Sequence, residues 1–187
     1  MQQVSLVTHC GTHIDAPFHF IEDGTTVDNL PFSQLYGPAV VLDVTGKIPR
    51  ERIVWDDISR HEERLRQAAM HGSMVLFKTG WSQYWGTNKY FDHPFLDADV
   101  AHKLVEFGVK TIGIDAMGPD ETKVGPNAAA ESNFIVHTIV LGASMVIAEN
   151  LTNLHQIETG SWRVSIAPLK ITGGDGSPVR AFAIKND

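Results

Sequence analysis

Four side chains able to bind a metal ion fall within eleven residues near the start of the chain. They are His9, His13, Asp15 and His19, in the run His9-Cys10-Gly11-Thr12-His13-Ile14-Asp15-Ala16-Pro17-Phe18-His19. The chain has nine histidines in all, so three of them beside an aspartate in one short segment are poorly explained by packing, and the run reads as a metal site. It also restricts the backbone. All four residues are at odd positions, and in an extended chain alternate residues share a face. A helix would stack His9 on His13 but turn Asp15 away, and Pro17 would break it. Gly11 suits a bulge or a close approach of backbone to an ion, which would itself disturb the alternation. Residues 4–8 alternate β-prone side chains, which places the run at the end of a strand.

A chain of 187 residues is long enough to bury a core without staples and is expected to form one domain. Charged residues make up 20% of it and hydrophobic ones 43%, a balance typical of soluble globular proteins. No stretch is apolar for long enough to span a bilayer. The start, Met1-Gln2-Gln3-Val4, lacks the basic and apolar parts of a signal peptide, so a cytoplasmic location is expected. The lone Cys10 cannot form an intrachain disulfide, and its even position turns it away from the histidines. A formal net charge of −7 opposes binding to nucleic acid or to anionic membranes. The run from Asp56 to Arg66 mixes both signs and reads as a solvated helix face.

Further along, residues 39–44, 74–78, 110–115 and 145–148 are short apolar runs that read as buried strands. Helices are expected over 52–70, closed by His71-Gly72; over 97–107, stopped by Gly108; over 131–141, broken by Gly142; and over 150–157. Two β segments, 163–171 and 179–185, are joined by a turn through Gly173-Gly174-Asp175-Gly176-Ser177-Pro178. This mixture predicts an α/β or α+β domain with a mixed sheet.

Two distant residues are candidates to complete the site. Glu149 follows the apolar run Met145-Val146-Ile147-Ala148, and a carboxylate at the mouth of a buried strand is costly unless paired, exposed or bound to a cation. His137 is the other; it also reads as a packing residue at a helix start, and Glu149 as a cap for a following helix. Thr12 could orient a ligand or merely favour extended backbone, and Asp115 could stand behind a ligand or simply open a loop. Trp81, Tyr84, Trp85 and Tyr90 suit a pocket wall, a folded-over loop or an oligomer contact. Of Phe18 and Phe20, one could face substrate, or both could be core. His61, His71, His93, His102 and His155 read as surface or packing residues.

The pattern His9-x-Gly11-Thr12-His13-x-Asp15-x-Pro17-x-His19 resembles the signature of the metal-dependent cyclase family, which includes bacterial kynurenine formamidases and isatin hydrolases. The likeness continues through Gly24-Thr25-Thr26-Val27-Asp28, Thr79-Gly80-Trp81, Gly113-Ile114-Asp115, His137, Glu149-Asn150-Leu151, Pro168-Leu169-Lys170-Ile171 and Asp175-Gly176-Ser177-Pro178-Val179-Arg180-Ala181. What it implies is a swivelling β/β/α domain, assembled as a homodimer or larger homo-oligomer. It further implies a hydrolase of a small-molecule amide or lactam, acting on a C–N bond other than a peptide bond. His9 and His13 would bind one metal and His137 a second, with Asp15 and Glu149 bridging both. His19 would carry protons or, failing that, be a further ligand. Zinc is the first expectation; the isatin hydrolase branch implies manganese with fewer ligands. The resembled proteins carry N-terminal structure before the motif, so the resemblance also implies that this chain lacks a segment of the family domain. The loop Met117-Gly118-Pro119-Asp120 departs from the family's Ser-containing pattern. Two other classes compete: a serine hydrolase, for which Gly-x-Ser-x-Gly is missing, and a non-catalytic metal-binding protein.

Overall fold

The apolar runs form the centre of a sheet in the computed structural model, which describes residues 1–158 and 161–186. The strands are β1 (His13–Asp15), β2 (Tyr36–Asp43), β3 (Arg52–Ile53), β4 (Met74–Lys78), β5 (Phe95–Leu96), β6 (Thr111–Ile114), β7 (Val146–Glu149), β8 (Trp162–Ser165), β9 (Gly176–Pro178) and β10 (Phe182–Lys185). The helices are α1 (Trp55–Ile58), α2 (Glu62–Met70), α3 (Ala98–Phe107), α4 (Ala128–Glu131) and α5 (Ile135–Gly142). Eight strands make one mixed sheet in the order β10-β8-β2-β4-β6-β7-β1-β9, while β3 and β5 pair separately. The four central strands β2, β4, β6 and β7 are parallel. Antiparallel strands extend the sheet on both sides.

Every residue of β4, β6 and β7 is buried, because a parallel sheet is covered on both faces. The period of two then divides the core. Val75 and Phe77 of β4 join Leu65, Leu104, Val136 and Val140 beneath α2, α3 and α5. Met74 and Leu76 face the other way, toward Ile14, Leu30, Leu35, Leu151 and Val164. A sheet with helices on one face and strands and loops on the other is the mixed α/β arrangement expected. Among the described residues, no helix is long and apolar enough to cross a membrane.

Several local expectations change. Residues 4–8 form no strand; Val4 is 78% and Val7 68% exposed, and without a ladder partner alternation alone does not hold a strand. The predicted helix over 52–70 is interrupted because Ile53 pairs with Leu96 and the Asp57 carboxylate accepts the Val54 N–H, starting α1 afresh. The 131–141 helix is divided into α4 and α5, with Gly142 closing α5 from inside. Over 150–157 there is only a 3-10 turn, Leu154–Gln156, because Asn150 and Asn153 take left-handed φ of 54° and 60°, a conformation asparagine tolerates. The connection through 173–178 is partly strand: Gly176–Pro178 is β9, paired with β1.

Candidate metal centre

The site forms where β1 is inserted between β7 and β9. In the β1–β7 register, His13 lies opposite Glu149 and Asp15 opposite Ile147. Cross-strand partners share a face, so His13, Asp15 and Glu149 all point to the helix-covered side, and Ile14 between them enters the opposite core. On that side α5 presents His137 from its first turn. Its ring is fixed by Asp120 in the loop after β6, whose Oδ2 accepts from His137 Nδ1 at 2.7 Å and from its backbone N–H at 2.9 Å. Asp120 Oδ1 accepts from Val136 N at 2.8 Å, so a distant loop supplies the helix cap that Phe134 cannot.

His9 and His19 arrive by bends and not by strand alternation. Gly11, at φ 59°, reverses the chain ahead of β1, and Pro17–His19 is a 3-10 turn. The two rings stack with centroids 3.9 Å apart. The parity argument therefore holds for His13 and Asp15 alone, although all four residues reach one place.

The distances are short. His9 Nδ1 is 2.7 Å from Asp15 Oδ1, and His13 Nε2 is 3.4 Å from both Asp15 Oδ1 and Glu149 Oε2. His137 Nε2 is 3.4 Å from Asp15 Oδ2 and 3.1 Å from Glu149 Oε1. Two triads, His9-Asp15-His19 and His13-Asp15-Glu149, each offer donor atoms within 4.8 Å of one another. His13 Nδ1 donates to the Gly11 carbonyl at 2.8 Å, which leaves Nε2 free of a proton when the ring is neutral.

This crowding is reflected in the protonation of the metal-free protein. Burial would raise Asp15, but hydrogen bonds from His13, His137 and His9 outweigh it and hold the carboxyl well below its usual range. Burial, and then the nearby charge of Asp15, push Glu149 up. Burial opposes charge on His137, yet Asp120, Asp15 and Glu149 raise it well above an ordinary imidazole. His9 and His13 are raised against burial too, chiefly by Asp15. Burial lowers His19 and the charge of His9 adds to the effect, against the attraction of Asp15 and Asp175.

A divalent cation fits this donor set. Two buried atoms, His9 Nε2 and Glu149 Oε1, make no directed hydrogen bond among the described residues, although each has an oppositely charged neighbour at 3.1 Å. Undirected buried polar atoms cost stability. A cation among imidazole nitrogens and carboxylate oxygens satisfies them without directional protons, and such N/O donors suit zinc or manganese.

The cluster is at the base of a cleft of about 680 Å³ whose walls include Phe20, Trp85, Met117, Phe134 and Lys123. Phe20 also stacks against His137 at 5.0 Å, while Phe18 is away from the cleft. Of the aromatic segment, Trp85 is 58% exposed at the cleft and Trp81 and Tyr90 are buried, Tyr90 donating to Asn150 Oδ1 at 2.7 Å. Thr12 does not orient a ligand: its hydroxyl donates to the Asn150 carbonyl. Asp115 does not stand behind one either, since it accepts from Thr79 N, Thr79 Oγ1 and Gly80 N. His93 is a packed residue bonded to Pro94 and Thr122, and His61, His71, His102 and His155 are outside the cluster.

Two functional candidates escaped the sequence reading. Asp120 carries no signal at its own position, because its partner is on a helix after a connecting loop. Asp175 was read as a turn residue and as the start of the family-like segment ending at Ala181, with no role at the site, yet its Oδ2 is 3.0 Å from His19 Nδ1.

The family model described as putative cyclase matches residues 1–121. The chain belongs to the cyclase family. A kynurenine formamidase of Salinibacter ruber is 33% identical over 94% of this chain and 76% of its own length. That of Bacillus cytotoxicus is 33% identical over 96% of this chain and 78% of its own. Among solved structures, isatin hydrolase A from Ralstonia solanacearum superposes with a TM-score of 0.77 at 30% identity, covering 94% of this chain and 72% of that one. A potential metal-dependent hydrolase with cyclase activity gives 0.77 at 30% identity, covering 99% of this chain and 83% of that one. This member of the cyclase family thus shares its fold with metal-dependent hydrolases.

Proposed function

We propose that this cyclase-family chain is a metal-dependent hydrolase of a small amide or lactam, similar in chemistry to the kynurenine formamidases and isatin hydrolases. The observation that carries the reading is the meeting of His13, Asp15, His137 and Glu149 around undirected buried donors at the base of an aromatic-walled cleft. His9, His13, Asp15, His137 and Glu149 would hold one or two divalent ions, zinc in preference to manganese. When bound, such an ion polarises a carbonyl oxygen and brings the pKa of a coordinated water down to about 7.

The protein's own groups do the rest. The cleft holds the substrate carbonyl beside the cluster. His19, whose basicity burial lowers, takes a proton from the attacking water at Nε2. It then returns that proton to the nitrogen as the C–N bond breaks, giving a carboxylic acid and an amine that separate from an open-chain amide and stay joined in one molecule from a lactam. A homodimer or larger homo-oligomer belongs to the same proposal, and light scattering tests it.

The deciding experiment measures bound metal by elemental analysis and turnover of N-formylkynurenine, isatin and simple cyclic amides, in wild type and in His19→Ala. Metal retained with kcat lower by ~10²–10⁴-fold is expected of a lost proton carrier. Metal lost in parallel would make His19 a ligand. A metal-loaded wild type inert toward the whole panel would leave a metal-binding protein in place of a hydrolase.

A further inference from the structure

Asp175 has no place in the ligand set, yet it is fixed with care. It precedes β9, its carbonyl accepts from Ala16 N at 2.9 Å, and Thr8 Oγ1 donates to its Oδ1 at 3.3 Å. The other carboxylate oxygen, Oδ2, is 3.0 Å from His19 Nδ1 and 3.1 Å from His9 Nε2. Only the first of these has hydrogen-bond geometry. An ionised carboxylate can only accept, so the proton of a neutral His19 ring is on Nδ1. The bond made by one imidazole nitrogen sets the state of the other, and Nε2 is therefore the basic atom of a residue that lines the cleft.

We propose that Asp175 is the positioning residue for His19, holding it as the Nδ1–H tautomer with Nε2 available to the substrate. Free imidazole side chains in water favour the opposite tautomer. Without Asp175 the ring would present an N–H to the cleft where a proton acceptor is required, and it would be free to turn about χ2. The stack of His9 on His19 limits tilt but selects no tautomer. A carboxylate behind a working imidazole is a general device for this purpose, and such supporting partners are typically worth 10–100-fold.

The kinetic part of this inference rests on the hydrolase reading; the tautomer does not. The experiment therefore has two arms on zinc-loaded, ¹⁵N-histidine-labelled protein. Ring nitrogen shifts, with His19 assigned by the signal lost in His19→Gln, are expected to show Nδ1 protonated and Nε2 bare in wild type. Asp175→Ala should move the His19 ring toward the Nε2–H form with bound zinc unchanged, and lower kcat by ~10–100-fold with little change in KM. Asp175→Asn keeps the shape of the loop and an accepting oxygen, so a smaller fall with the Nδ1–H form retained is expected, while Asp175→Leu, of similar size and without an acceptor, serves if the alanine variant is unfolded. An unchanged His19 tautomer in the variant that lacks an acceptor would overturn the proposal. So would a loss of zinc matching the loss of rate, since Asp175 would then serve His9 and the metal. If wild type hydrolyses no panel substrate, the hydrolase reading fails while the ring spectra still decide the role of Asp175.

Discussion

Replacing Asp120 by alanine removes one carboxylate that serves two purposes, and the size of each effect follows from its partners. The oxygens accept from Val136 N, His137 N and His137 Nδ1, the first two being N–H groups in the first turn of α5. Loss of a helix cap costs ~1 kcal/mol, and leaving buried donors without acceptors adds ~1–3 kcal/mol. Combined, the expected loss of folding stability in the metal-free protein is ~2–4 kcal/mol. Independently, His137 loses the partner that holds its Nδ1 proton and aims Nε2 at Asp15 and Glu149, which should weaken metal binding by ~10–100-fold, or ~1.4–2.7 kcal/mol. Urea unfolding of chelator-treated protein reads the first quantity, and zinc competition against a chelating dye reads the second. Asp120→Asn keeps one accepting oxygen, so it should fall between alanine and wild type in both quantities. The reasoning is refuted if Asp120→Ala binds zinc as wild type does and unfolds at the same urea concentration.

Two further outcomes follow from the same geometry. A Cβ on Gly176 would lie 2.5 Å from His9 Cε1 and 2.7 Å from the Ile14 carbonyl oxygen, so Gly176→Ala should destabilise by ~1–3 kcal/mol and displace His9; a denaturation midpoint equal to wild type would contradict this. In the metal-free protein the raised His13 and His137 contribute stability that is full below the unfolded pKa of about 6.5 and is lost as pH rises through their folded values. Metal needs those nitrogens bare and binds more tightly over the same interval. The difference in melting temperature between metal-loaded and chelator-treated protein should therefore widen from about pH 6 to about pH 9, and a narrowing gap would be the wrong sign.

The sequence alone carried the chemistry of the site. His9, His13, Asp15 and His19 are dense enough in one segment to suggest a metal site without coordinates, and the apolar runs at β2, β4, β6 and β7 announced buried strands because a parallel sheet has no polar face to alternate with. Helix α3 was legible at both ends, since the Asp97 side chain caps Asp99 N and Gly108 takes the left-handed stop. What the sequence could not supply was which distant groups meet. His13 faces Glu149 because β1 pairs with β7 in one register of several that hydrophobicity would permit. His137 reaches both because Asp120 fixes its ring from another loop, and His19 meets Asp175 because β9 returns beside β1. Likewise, residues 4–8 had the alternation of a strand without a partner, and 150–157 had a helical composition overruled by two left-handed asparagines. Local propensity depends on neighbours a few residues away and is readable along the chain; pairing register and the approach of remote carboxylates depend on the packed sheet, where hydrogen bonds and burial are satisfied together or not at all.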